Sequence, residues 1–200
     1  MIKIGIIGCG KITEVRHAPE YMENPNCKLA AFYDLVPARA EEFARRFGGR
    51  AYGSVDELLA SGVDAVSVCT ANTSHAAMAI QALRAGKHVL CEKPMAIDMA
   101  SAEEMARTAE EAGVFLTVGH QARFYPSAQA LWRELRSGRF GSLYFARASM
   151  VRRMGIPTWG HFFDPKVQGG GCLIDLGTHA LDLAMWLLDD FEPAYCCAGA

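Results

Sequence analysis

Lys87-His88-Val89-Leu90-Cys91-Glu92-Lys93-Pro94 is a short apolar run that stops at an acid, a base and a proline. With Gly86 before it and Pro94 after it, the run reads as a parallel strand covered on both faces. A charged pair at the carboxyl end of such a strand is costly without a task or a partner. In open α/β sheets, ligands bind just beyond the carboxyl ends of the strands. Lys93 is therefore the first candidate for chemistry, and Pro94 restricts its backbone toward extended conformations.

Toward the N-terminus, strand, polar turn and helix repeat. Ile2 to Ile7 is an apolar run leading into Gly8-Cys9-Gly10-Lys11-Ile12-Thr13 and then a helical pattern to about Met22. Gly8 and Gly10 let the backbone turn sharply and approach a pyrophosphate. The free N–H groups and positive dipole end of a helix starting at Lys11 and Ile12 favour its charge. A plain strand-to-helix turn would also carry these glycines. The third fingerprint position is Thr13 instead of glycine or alanine, which predicts a looser fit between helix and strand. Lys28 to Tyr33 is the next strand, and it ends at Asp34, where an acid can hydrogen-bond both hydroxyls of an adenosine ribose. Such a carboxylate repels a 2′-phosphate, so NAD is expected in preference to NADP. The competing reading has Asp34 merely capping the helix from Pro37 to Phe47.

Ser54 to Ala60 reads as a short capped helix and Val63 to Cys69 as a strand that opens into Thr70-Ala71-Asn72-Thr73-Ser74-His75. Thr73 or Ser74 can cap the following helix, which runs to about Ala85. His75 either reaches the cofactor or sits near the helix start. With a helix over Ser101 to Ala112 and a strand over Val114 to Val118, the first 120 or so residues predict a doubly wound parallel sheet.

Beyond Gly119-His120-Gln121-Ala122-Arg123 the alternation changes, marking a domain boundary: residues 1–122, then 123–200. Ser127 to Arg136 reads as a helix and Leu143 to Val151 as a strand with one covered face. Residues 152–171 are loop-like yet carry Trp159, His161, Phe162 and Phe163, which either line a binding cleft or tuck onto the core. Helical spacing then sets Asp175, His179 and Asp182 on one seam, an imidazole flanked by carboxylates, with Gly177 inviting close approach. A solvated polar face is the alternative. Ala194 to Ala200 begins another strand, so the sequence is expected to hold only the start of an open, mainly antiparallel sheet, either as a truncated chain or as one whose missing strands a partner supplies.

The 200 residues are 51% hydrophobic with a net charge of −2, which gives no electrostatic reason to expect nucleic acid. No basic-then-apolar leader and no membrane-spanning apolar run is read, so a cytoplasmic protein without a membrane partner is expected. Seven cysteines without paired metal-type spacing predict reduced thiols and no metal site.

Taken together, Gly8-Cys9-Gly10, Asp34, Ala85 to Pro94, Gly169-Gly170-Gly171, Asp175 and His179 resemble the Gfo/Idh/MocA family of nicotinamide-dependent oxidoreductases. The resemblance implies an N-terminal Rossmann domain and an α/β domain for substrate and self-association. It implies hydride transfer between NAD(P) and a secondary alcohol of a polyol or sugar. It also implies that Lys93 and His179 share the proton-transfer roles and that Asp175 holds His179 or binds a substrate hydroxyl. The resemblance places Thr70, Asn72, His75, Glu92, Gln121 and Arg123 near the nicotinamide half and implies that Trp159 closes over the cofactor. The family's usual Thr-Pro-Asn is Thr70-Ala71-Asn72 here, which puts that loop's geometry in question. The alternatives are an NAD-dependent glycosidase of the same superfamily and a non-catalytic nucleotide-sensing regulator.

Overall fold

A computed structural model describes residues 1–151, 153–158, 163–197 and 199. Its contacts divide the chain into two compact units, one of Met1–Gly119 with Pro157–Gly171 and one of His120–Ile156 with Cys172–Ala200.

The first unit is built on six strands, β1 (Ile2–Ile7), β2 (Cys27–Tyr33), β3 (Arg50–Ala51), β4 (Ala65–Val68), β5 (His88–Cys91) and β6 (Leu116–Val118). They lie in the order β3-β2-β1-β4-β5-β6, and every pair is parallel. The helices are α1 (Ala18–Glu23), which continues a π-helical turn over Thr13–His17, α2 (Pro37–Phe47), α3 (Val55–Ala60), α4 (His75–Arg84) and α5 (Met99–Ala112). Alternation along β1 explains why both faces are covered. Ile4 and Ile6 pack with Phe32, Ala40 and Phe43, while Ile7 packs with Leu58, Val68 and Leu83 on the other side. Ile6, Ile7 and Phe32 are fully buried, each contributing about 1.5–3 kcal/mol. Two helices have caps that the local sequence makes possible: Ser54 accepts from Glu57 N, and Asp98 accepts from Ser101 N. Ser74, by contrast, makes no capping bond, and a 3₁₀ turn over Asn72–Ser74 leads into α4 instead.

The second unit contains α6 (Pro126–Arg136), and the intervening α7 (Pro165–Gln168) belongs to the first unit. A π-helical turn over Leu173–Gly177 then runs into α8 (Thr178–Leu188). Trp132 of α6 stacks on Trp186 of α8 with ring centroids 5.6 Å apart, and Arg136 pairs with Asp189 at 2.6 Å.

Three expectations are corrected here. The only sheet among the described residues is the parallel one, which overturns the mainly antiparallel C-terminal sheet. Residues 142–151 form no strand, and neither do the described residues of 194–200. Alternation needs a partner ladder to become a strand. Here Tyr144 and Phe145, on opposite faces of the expected strand, are both exposed, at 95% and 68%. The helical stretch Pro165–Leu188 is long and apolar enough, by length and composition, to cross a membrane, contrary to the reading that no such run exists. Core helices pass the same test, and Asp182 within this stretch is ion-paired to Arg123.

Candidate functional site

The strand order reverses direction between β1 and β4, and the carboxyl ends of those strands carry the candidate cofactor residues. Gly8 sits directly after β1 at φ +102°, where a Cβ would lie 2.6 Å from the Cys69 carbonyl oxygen and 2.9 Å from Thr70 N. Only glycine fits there, because the obstacle is backbone. Gly10 is different: a Cβ there would meet no atom within 4 Å. Nothing inside the protein requires that glycine, whereas a phosphate drawn to the start of the helix at Lys11 would. The two glycines and the helix start fit the pyrophosphate of a dinucleotide.

Thr13, the departure from the fingerprint, is fully buried and its hydroxyl donates to Gly8 O at 2.6 Å. It closes the turn with a hydrogen bond in place of the close packing that a smaller residue would allow. Lys11 and Ile12 are exposed at the helix start, with Lys11 Nζ paired to Glu14 at 2.9 Å. Asp34 follows β2 and accepts from Cys9 N and Val36 N, both at 2.8 Å, one bond to each carboxylate oxygen. An ionised carboxylate has about four acceptor positions, so two bonds to the protein leave it able to receive ribose hydroxyls. Arg39 lies 3.9 Å from Asp34 Oδ1.

After β4, Ala71 adopts φ −70° and ψ 150°. Those are angles that a proline can also adopt. Thr70 and Asn72 are half-buried, and Asn72 Nδ2 donates to Gln168 O at 2.9 Å. His75 is 1% exposed, with Nδ1 2.7 Å from Pro94 O and Nε2 3.2 Å from Thr70 O. Its ring therefore spans two loops. Burial pushes it toward the neutral form, more than the two carbonyls pull it back.

Beyond β5, the Lys93–Pro94 peptide is cis. Glu92 Oε1 lies 2.8 Å from His17 Nε2, and Glu92 Oε2 accepts from Lys93 N at 3.1 Å. Burial alone would raise the Glu92 carboxyl, but the His17 ring and Lys93 outweigh it and hold it below its ordinary value. Burial likewise opposes the charge on His17, yet the neighbouring Cys69 and Glu92 side chains carry its pKa up to about 10. His17 is absent from the residues the sequence singles out. Its position one turn after Thr13, on the same buried helix face, is the only local signal, because its partner is 75 residues away.

In the second unit, Gln121 is exposed and Arg123 lies in the same 3₁₀ turn, Gln121–Phe124. The Arg123 guanidinium makes two bonds to Asp182, one from Nε at 2.8 Å and one from Nη2. Asp182, expected to flank His179, is held by Arg123. Asp175 lies in the π-helical turn and His179 in the first turn of α8, both half-buried. A Cβ on Gly177 would lie 2.6 Å from Leu173 Cδ1, so the close approach at this glycine comes from a side chain of the same helix. Lys93 belongs to the first unit, and Asp175 and His179 to the second. Trp159 lies outside the described residues. No group of three or more His, Cys, Asp or Glu suited to a metal occurs among the described residues.

Known proteins agree with the nucleotide-binding geometry. Residues 2–120 match the oxidoreductase family with an NAD-binding Rossmann fold, and residues 128–199 match the GFO/IDH/MocA C-terminal domain. The chain is 37% identical to the D-glucoside 3-dehydrogenase of Escherichia coli over 94% of its own length and 54% of that protein's. Among solved structures it is similar to GenD2 from gentamicin A biosynthesis in complex with NAD, with TM-score 0.82 and 31% identity, covering 94% of this chain and 53% of that one. It is also similar to KijD10, a 3-ketoreductase from Actinomadura kijaniata in complex with NADP and TDP-benzene, with TM-score 0.79 and 30% identity, covering 94% and 57%. The chain spans about half the length of the curated relatives it matches. With its glycine turn, Asp34 and Glu92-Lys93-Pro94 set on a doubly wound sheet, the chain belongs to the Gfo/Idh/MocA family of oxidoreductases.

Proposed function

We propose that this chain is the cofactor-binding part, and the start of the substrate-binding part, of an NAD(P)-dependent dehydrogenase that oxidises a secondary hydroxyl of a sugar or polyol. Residues 1–122 bind the dinucleotide, and residues 123–200 contribute to substrate binding and self-association. The reading is carried by Lys93, an amine following the carboxyl end of β5 in the same sheet whose β1 end forms the glycine turn. Sugar C3 is the favoured position of oxidation, since the relatives at 37%, 35% and 34% identity are 3-dehydrogenases of a glucoside, glucose 6-phosphate and a nucleotide-linked sugar.

When bound, the nicotinamide supplies the acceptor for the hydride leaving the carbinol carbon. Gly8, Gly10, Lys11 and Ile12 hold the pyrophosphate, and Asp34 holds the adenosine ribose, which favours NAD over NADP. Thr70, Asn72, Glu92, Gln121, Arg123 and Trp159 serve the nicotinamide half, and His75 fixes two of the loops concerned. Lys93 and His179 carry the hydroxyl proton between them as the alcohol becomes a ketone, and Asp175 orients His179 or a neighbouring substrate hydroxyl. The seven cysteines are all free thiols, which favours a reducing cytoplasmic setting.

A screen of glucosides, sugar phosphates, nucleotide-linked sugars and inositols with NAD and NADP, read by reduced-cofactor absorbance, tests the reading. Lys93→Met is expected to lower turnover by about 10²–10⁴-fold while NAD still binds. Unchanged turnover in that variant would remove Lys93 from the chemistry.

A further inference from the structure

We infer that His17 is a positioning residue for Lys93, joining the helix that starts at the glycine turn to the Glu92-Lys93-Pro94 loop; the inference rests on the catalytic reading of Lys93. The connection is a short chain of bonds. His17 Nε2 holds Glu92 Oε1 at 2.8 Å, and the other carboxylate oxygen of Glu92 accepts the backbone N–H of Lys93 at 3.1 Å. His17 is 8% exposed and the Glu92 side chain 17%. The groups facing the His17 ring are the Glu92 carboxylate, the Cys69 thiol and the Tyr21 ring, whose centroid is 6.3 Å away.

Stability alone gives a poor account of this pair. A buried ion pair loses hydration on both partners, and apolar residues of the same volume commonly serve a fold as well or better. The helix is also attached to the sheet one turn further on, where Tyr21 Oη and Ser67 Oγ are 2.6 Å apart. What the His17 contact adds is direction. With Oε1 held, the carboxylate plane is fixed and Oε2 stays on the Lys93 amide. Without it, the Glu92 side chain is free to rotate, and Lys93 loses the acceptor that sets its backbone. The residue also places two parts of the candidate site in one bonded path, since the same helix begins at the turn that receives the pyrophosphate.

Residue-resolved hydrogen exchange of the amides, measured on the whole chain for His17→Leu and His17→Gln, tests this without any turnover. In His17→Leu the Lys93 amide is expected to exchange about tenfold faster, as expected when a hydrogen bond to a charged group is lost. The amides of β1 should keep wild-type rates. His17→Gln, which can still donate to Glu92, is expected to restore the Lys93 rate to within about threefold. His17→Met replaces the leucine variant if that does not fold. An unchanged Lys93 rate, or acceleration shared equally by β1, would overturn the inference. A parallel NADH titration of the wild-type chain separates the two readings: absence of binding would overturn the proposed function, whereas the exchange rates alone decide the role of His17.

Discussion

Gly8 and Gly10 lie two positions apart in the same turn, yet the structure predicts opposite consequences for replacing them. In Gly8→Ala the new methyl group would lie 2.6 Å from the Cys69 carbonyl oxygen and 2.7 Å from its carbon, on a backbone at φ +102°. The backbone strain costs about 1–3 kcal/mol and displacing the end of β4 about 1–3 kcal/mol more. The total of about 2–6 kcal/mol is a large part of the roughly 5–15 kcal/mol that holds a domain folded. In urea the unfolding midpoint should fall by about 1–3 M. Gly10→Ala meets no atom within 4 Å, so its midpoint should correspond to a change within about 0.5 kcal/mol. Its methyl group instead enters the space from which phosphate would approach, and NADH affinity measured by fluorescence should fall about tenfold or more. Equal destabilisation by the two substitutions, or undiminished NADH binding by Gly10→Ala, would refute the division of labour between them.

Asp34→Ala should weaken NAD and narrow the preference over NADP, because it removes the carboxylate that repels a 2′-phosphate and leaves Arg39 nearby; titration with both cofactors checks this, and equal affinities in the unmutated protein would sink the preference. Thr13→Val keeps shape but loses the bond to Gly8 O, which should cost about 1 kcal/mol in the urea midpoint and weaken NADH alongside it. The His17 ring, raised from 6.5 to about 10, contributes stability that is fully present below pH 6.5 and declines as the pH rises through about 10. Glu92, held below its ordinary value, contributes above that value and loses its share as the pH falls through the depressed one. Urea midpoints of wild type should therefore approach those of His17→Gln toward pH 10, and a constant difference across that range would contradict the charged pair.

Much of the nucleotide-binding fold is legible in the sequence because its strands are buried on both faces and its turns are marked by glycine and acid. The runs at Ile2 to Ile7 and Val89 to Cys91, with Asp34 at its spacing, point to a doubly wound parallel sheet. Two-residue β3 is not legible, since Arg50 and Ala51 are too short to carry a period. The residues 143–151 show the opposite failure: their alternation is present, but no described segment pairs with them. The candidate site divides in the same way. Lys93 stands out because a charge ends an apolar strand, whereas the His17–Glu92 and Arg123–Asp182 pairs join residues 75 and 59 positions apart. No local pattern encodes such pairs.

The His75 imidazole has a mechanical consequence. A neutral ring has one N–H, yet carbonyls of two different loops face its two nitrogens, Pro94 O at 2.7 Å and Thr70 O at 3.2 Å. The shorter contact favours the tautomer with the proton on Nδ1, so the Pro94 loop is latched by a hydrogen bond while the Thr70 carbonyl faces an acceptor nitrogen. Moving the proton to the other nitrogen would exchange those roles without moving a heavy atom. The two loops are thus linked through a single proton, and fluctuations of one that displace the ring must be felt by the other.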